Sequence, residues 1–143
     1  MNRRLGSDRG SAAIELAIVA PAVIAVFVML LIAGRTIIAR QGIEAAAFDA
    51  ARTASLERDA SSALTRARAA AEETLAAQGL NCLSVAVEVD VSGFARPVGE
   101  PATVTATVEC VVNFRDVALP GMPGQTTLTA AFTSPLDQYR SRS

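Results

Sequence analysis

Few side chains in this sequence can do chemistry, and their types and spacing argue against catalysis. There is no histidine among the 143 residues, which removes the commonest general base and the commonest zinc ligand together. Cys82 and Cys110 are the only cysteines. Two thiols cannot complete a tetrahedral site without imidazole or further thiolate, so neither a metal nor a cofactor is expected. Glu72 and Glu73 are adjacent carboxylates, but neighbouring residues of a helix point about 100° apart and cannot work on one substrate. The remaining Ser, Asp and Glu are scattered, with no suitable base beside them, so no enzyme activity and no small-molecule substrate is expected. The 13 basic residues are all Arg, set against 14 acidic ones, and no basic run interleaves with aromatics. A nucleic-acid surface therefore finds no support.

Two features remain that could carry physical work. Glu15 stands at the threshold of a long apolar run. In one reading it marks the edge of that run and reaches back to polar surroundings, because a carboxylate in mid-membrane costs about 2.5–3.5 kcal/mol. In the other, a chain cut after Gly10 would begin at Ser11 with a free amine, and Glu15 one helical turn away could neutralise the amine of a neighbouring subunit and set the stagger of packed helices. The cysteines also have two readings, a disulfide or two small buried apolar groups. Closing a loop of this size would contribute about 3–4 kcal/mol.

The elements that must position these groups begin with an uncharged stretch from Leu16 to Gly34, about nineteen residues long. At ~1.5 Å per residue it can cross a hydrocarbon core of ~30 Å. It exceeds the roughly 7–15 residues of a secretory signal core, and no small-residue cleavage site follows it. The rest of the chain is too small to surround a helix that is apolar on every side. A single uncleaved membrane span is therefore expected. Arg3, Arg4 and Arg9 against Asp8 favour a cytoplasmic N-terminus, while Arg35 and Arg40 after the span weaken that bias. Pro21 within the span removes one helical hydrogen bond and predicts a kink between Ala17 and Pro21.

These residues, taken in order, resemble a known family. Arg9-Gly10-Ser11-Ala12-Ala13-Ile14-Glu15-Leu16-Ala17, Pro21, Gly34-Arg35, Arg40-Gln41 and Ala46-Ala47-Phe48-Asp49-Ala50-Ala51-Arg52 are similar to the TadE-like pseudopilins, minor pilins of the tight-adherence (Tad/Flp) type IV pilus system. Gly10, Glu15 and Pro21 match that family's glycine, glutamate and proline, and Asp49 and Arg52 its D-x-x-R ending. The sequence departs from the pattern at Leu16, where an aromatic is usual, at Phe48, usually basic, and at Ala50, usually glycine. The resemblance implies a structural subunit of a pilus or secretion assembly in the bacterial cytoplasmic membrane. It implies contacts with lipid and with other pilin or pseudopilin subunits through the N-terminal helix, and processing between Gly10 and Ser11 by a prepilin peptidase. A generic single-span envelope anchor that never enters a fibre is the alternative.

Beyond the span, Ile37, Ile38, Ile43, Ala46, Ala47, Ala50, Ala51 and Ala54 keep a helical rhythm, so one helix is expected from about Ala12 to Ala54. Its Ala stripe at 47, 50, 51 and 54 suits either another subunit's helix or packing within the chain. Asp59 or Ser61 can cap a second helix that Gly79 ends, with Leu64, Ala67, Ala71 and Leu75 on its buried face. Three strands follow by alternation, starting at Leu83, Thr103 and Thr127. The fold class is α+β: a pilin-like transmembrane helix, a second amphipathic helix, and a small three-stranded antiparallel sheet covered by that second helix. Cys82 has the outward parity of its strand and Cys110 the inward parity, so a bond between them needs Cys82 to precede the strand or a bulge nearby. The boundaries are a leader-like segment at 1–11, the span at 12–34, a helical stalk at 35–56, an extracytoplasmic domain at 57–134 and a flexible tail at 135–143. The Pro/Gly-rich apolar segment 117–124 is expected to fold over the end of the sheet, with partner docking through Leu119 and Met122 as a second reading.

Overall fold

A computed structural model of the chain describes residues 8–113 and 124–139. Helix α1 (Asp8–Leu56) is followed by α2 (Ala60–Ala77), strand β1 (Cys82–Asp90), a 3-10 turn (Ser92–Ala95), β2 (Thr103–Asn113) and β3 (Gln125–Pro135). The strands pair antiparallel in the order β1-β2-β3. The α+β class, the long first helix, the second helix and the three strands are all present.

Helix α1 runs unbroken through Pro21 and extends past Ala12 and Ala54 at both ends. Helix α2 starts where Asp59 turns its carboxylate onto the free end, accepting from the Ser62 N–H at 2.8 Å and the Ser61 hydroxyl at 2.6 Å. The Ser61 hydroxyl and then the Ser62 N–H hold the Asp59 carboxyl at about 2, against an ordinary 3.8, because both bonds favour the charged form. Gly79, at φ +67°, lets the chain leave α2 through a conformation that other residues adopt only with strain.

The core lies between the second half of α1, α2 and the sheet. Ala46, Ala47, Ala50, Ala51 and Ala54 of α1 are at most 1% exposed, and Ala63, Ala67 and Ala71 of α2 are fully buried. The Ala stripe therefore packs within the chain. Where these alanines meet, only methyl groups separate the two backbones, which approach closely and leave no room for a larger side chain. This corrects the expected face of α2, where Ala63 takes the buried place assigned to Leu64, which is only half-buried.

The cover of the sheet also differs from expectation. Helix α1, not α2, lies across β2 and β3, whereas α2 packs mainly on α1 and meets the sheet chiefly at β1. Val104, Ala106, Val108 and Cys110 of β2 are fully buried as a result, while Leu83 and Val85 of β1 stay 56% and 42% exposed. The other face of the sheet carries threonines, with Thr105 and Thr133 hydroxyls 2.9 Å apart across β2 and β3. Phe94, Ala102 and Leu136 close the far end of the core. There a Cβ on Gly93 would strike the Thr103 carbonyl, so only glycine fits the turn. Leu136, within the segment expected to be polar tail, is 5% exposed, and its N–H donates to the Ala102 carbonyl at 2.8 Å. The segment 1–7 and, apart from Gly124, the expected loop with Leu119 and Met122 lie outside the described residues.

The sulfurs of Cys82 and Cys110 are bonded, with their Cα atoms 5.5 Å apart. A bulge reconciles the parities. Cys82 lies opposite Val112 and Ser84 opposite Val111, which leaves Leu83 as an extra residue on β1. That one residue turns Cys82 onto the inner face, beside Cys110. Reduction of the full chain in detergent is expected to lower its unfolding free energy in urea by about 3–4 kcal/mol; a change below about 1 kcal/mol would show that the bond constrains nothing.

Candidate interaction site

The residues singled out in the sequence are spread along α1, and their surroundings divide the helix in two. From Ile14 to Ile38 no side chain is buried. Between Ile14 and Leu31, eleven large apolar side chains are 45–72% exposed. Transferring them from water to an apolar medium is worth on the order of 10–20 kcal/mol, as much as the whole stability of a typical domain. This half of α1 is long and apolar enough to cross a membrane, and the protein covers none of it. It fits a single-pass membrane anchor.

Gly10 and Ser11 lie in the first turns of α1. Glu15 follows one turn after Ser11, exposed, at the polar end of the uncharged stretch. Pro21, with no N–H, leaves the Ala17 carbonyl without its usual donor inside the same stretch. The geometry of these residues is a rod with one acidic group at its threshold, suited to packing against lipid or other helices.

From Ala39 onward the helix becomes a wall of the domain. Here Asp49 and Arg52 part company. The Asp49 carboxylate accepts from the Thr74 hydroxyl of α2 at 2.8 Å, tying the helices together across 25 residues of sequence. Arg52, one turn on, is exposed, and no ion pair to it is found among the described residues. With Asp49, Glu73 and Gln78 it lines an open groove of about 450 Å³ between the helices. Phe48 reaches the other way, its ring edge-on to Phe132 of β3 with centroids 4.7 Å apart. Ser55 and Ser134 make a similar tie near the end of α1, where the Ser134 hydroxyl donates to Ser55 at 3.0 Å.

The carboxylates and thiols weighed for catalytic work are not brought together in one site among the described residues. Glu72 and Glu73 are both exposed on α2. Among the described residues no three His, Cys, Asp or Glu side chains are grouped to hold a metal ion. The Asp49–Thr74 bond was missed in the sequence, since nothing in the spacing of the two residues announces it.

Residues 10–52 match the family model of TadE-like proteins. The matched segment covers Gly10, Glu15, Pro21, Asp49 and Arg52, under a third of the chain, and over it the chain is similar to TadE-like proteins. The match supports a protein associated with the tight-adherence pilus. No curated protein and no solved structure is matched by the chain. For the matched motif, Asp49→Ala is expected to lower the unfolding free energy by about 1.5–3 kcal/mol through loss of a charged hydrogen bond. Thr74→Ala should cost no more, and the double variant less than the sum, in a double-mutant cycle; strict additivity would show that the two side chains do not act as a pair.

Proposed function

We propose that this TadE-like chain is a minor-pilin-like structural subunit. In this reading α1 anchors it in the bacterial cytoplasmic membrane, with the N-terminus cytoplasmic and the domain outside. The exposed half of α1 then packs against the helices of other pilin or pseudopilin subunits in a tight-adherence pilus or secretion assembly. The observation that carries the reading is the division of α1. The Ala stripe suited to close packing is consumed inside the chain, while the first part of the family-matched stretch, with Glu15 and Pro21, has no buried residue between Ile14 and Ile38. A generic envelope anchor accounts for the apolar run, with Glu15 reaching back to polar surroundings at its edge; a register role for that carboxylate is what separates the two readings.

Glu15 is assigned the register role. A prepilin peptidase cutting after Gly10 would leave the Ser11 amine one turn away, and the carboxylate of one subunit would meet the amine of the next as their helices pack. In a low-dielectric setting an unpaired carboxylate costs several kcal/mol, so only the matched stagger is stable. The reading predicts a chain beginning at Ser11 when the N-terminus is sequenced from assembled material. It also predicts that Glu15→Ala stays in the membrane fraction while its crosslinking to other pilin-like subunits falls roughly tenfold or more. An intact Met1 together with unchanged crosslinking in the variant would favour the simple anchor.

A further inference from the structure

The domain end from which α1 emerges has a chemistry unlike the rest of the surface. There Arg35, Gln78, Asn81 and Asn113 line an open groove of about 390 Å³, with Ile38 and the α2–β1 turn completing it. The groove joins α1 to the last residues of β2 immediately after the uncharged stretch ends at Gly34. A span of residues 16–34 rises roughly 28 Å at ~1.5 Å per residue, close to a hydrocarbon core of ~30 Å. The next roughly 6 Å of helix, Arg35 to Ala39, then falls within a headgroup layer of about 5–8 Å. The groove is therefore set at the depth of the phosphates.

Charge along the same axis points to the occupant. The residues that form this end, 35–43, 76–84, 110–113 and 124–127, contain Arg35 and Arg40 and no carboxylate among the described residues. On α1 the first acidic group beyond the span is Glu44, and on β2 it is Glu109, four residues back from Asn113 and so roughly 13 Å from this end at ~3.4 Å per residue. Exposed here are the amides Gln78 and Asn81, which donate to phosphate oxygens, and the apolar Ile37, Ile38 and Leu83, each 56–63% exposed. Arg40, about one and a half turns above Arg35, lines a second groove with Glu44 and the start of β3, on the side of that groove nearer the span.

From this arrangement we infer that the base of the domain is a second membrane contact, which seats on the anionic phosphodiester headgroups around the helix through Arg35 and Arg40. Guanidinium groups bind phosphate oxygens with paired hydrogen bonds, and Ile38 and Leu83 dip toward the acyl boundary beside them. The contact holds the domain upright on the bilayer, and it operates on either leaflet. It rests on α1 being a membrane anchor.

Hydrogen exchange of the full chain in lipid nanodiscs tests the seat, comparing phosphatidylcholine alone with a mixture containing phosphatidylglycerol. The backbone amides of residues 78–82 and 111–113 are expected to exchange on the order of tenfold more slowly in the anionic discs, and high salt should remove the difference. Arg35→Gln/Arg40→Gln should abolish the lipid dependence while the amides of residues 104–108, deep in β2, remain protected. Equal exchange in both lipids, or a dependence that survives in the double variant, overturns the headgroup seat alone. Failure of the chain to enter the discs at all would overturn the anchor and the seat together.

Discussion

A helix that is apolar on every side cannot be left standing in water, and between Ile14 and Leu31 nothing in the protein covers α1. Every other feature is arranged around that fact. The helix does not stop where the uncharged stretch stops. It continues for about six further turns, most of them as a wall of the domain, so the element that needs lipid and the element that builds the core are one continuous helix. Whatever holds the first half of α1 in place therefore also fixes where the domain sits.

The second half of α1 serves two neighbours at once, and alanine is what makes this possible. Its buried side chains are almost all methyl groups, facing α2 on one flank and the sheet on the other. Ties at specific points then set the relative positions. The Asp49–Thr74 hydrogen bond locates α2, while the Phe48–Phe132 contact and the Ser55–Ser134 bond locate β3. With a core made largely of Ala and no Trp in the sequence, such a domain gains little from most of its buried side chains. The disulfide between β1 and β2 compensates by limiting the unfolded chain.

Much of this was legible in the sequence. The uncharged run, the Ala rhythm beyond it, Asp59 as a cap, Gly79 as a stop and the alternation of the strands each obey a local rule, and each marked its element. Helix coverage of the sheet was not legible, because the stripe at 47, 50, 51 and 54 fits α2, β3 or a foreign helix equally well. Ala63 lost to Leu64 in the reading because hydrophobicity favours leucine, whereas close packing of two backbones favours alanine. The bulge at Leu83 has no glycine or proline to announce it, and only the parity conflict between Cys82 and Cys110 hinted at it. Phe94 and Leu136 are isolated apolar residues outside any periodic pattern, so their burial depends on contacts far away in sequence. Of the interaction site, Glu15 and Pro21 stood out as residues out of place in an apolar helix, while the partner of Asp49 could come only from the fold.

The claim on which the account depends is that the exposed half of α1 lies in lipid. Alkaline carbonate extraction of membranes from cells producing the full chain tests it most directly, since the treatment strips peripheral proteins and leaves integral ones behind. The account predicts that the chain stays in the membrane pellet and leaves it only with detergent. Release into the carbonate supernatant would contradict it.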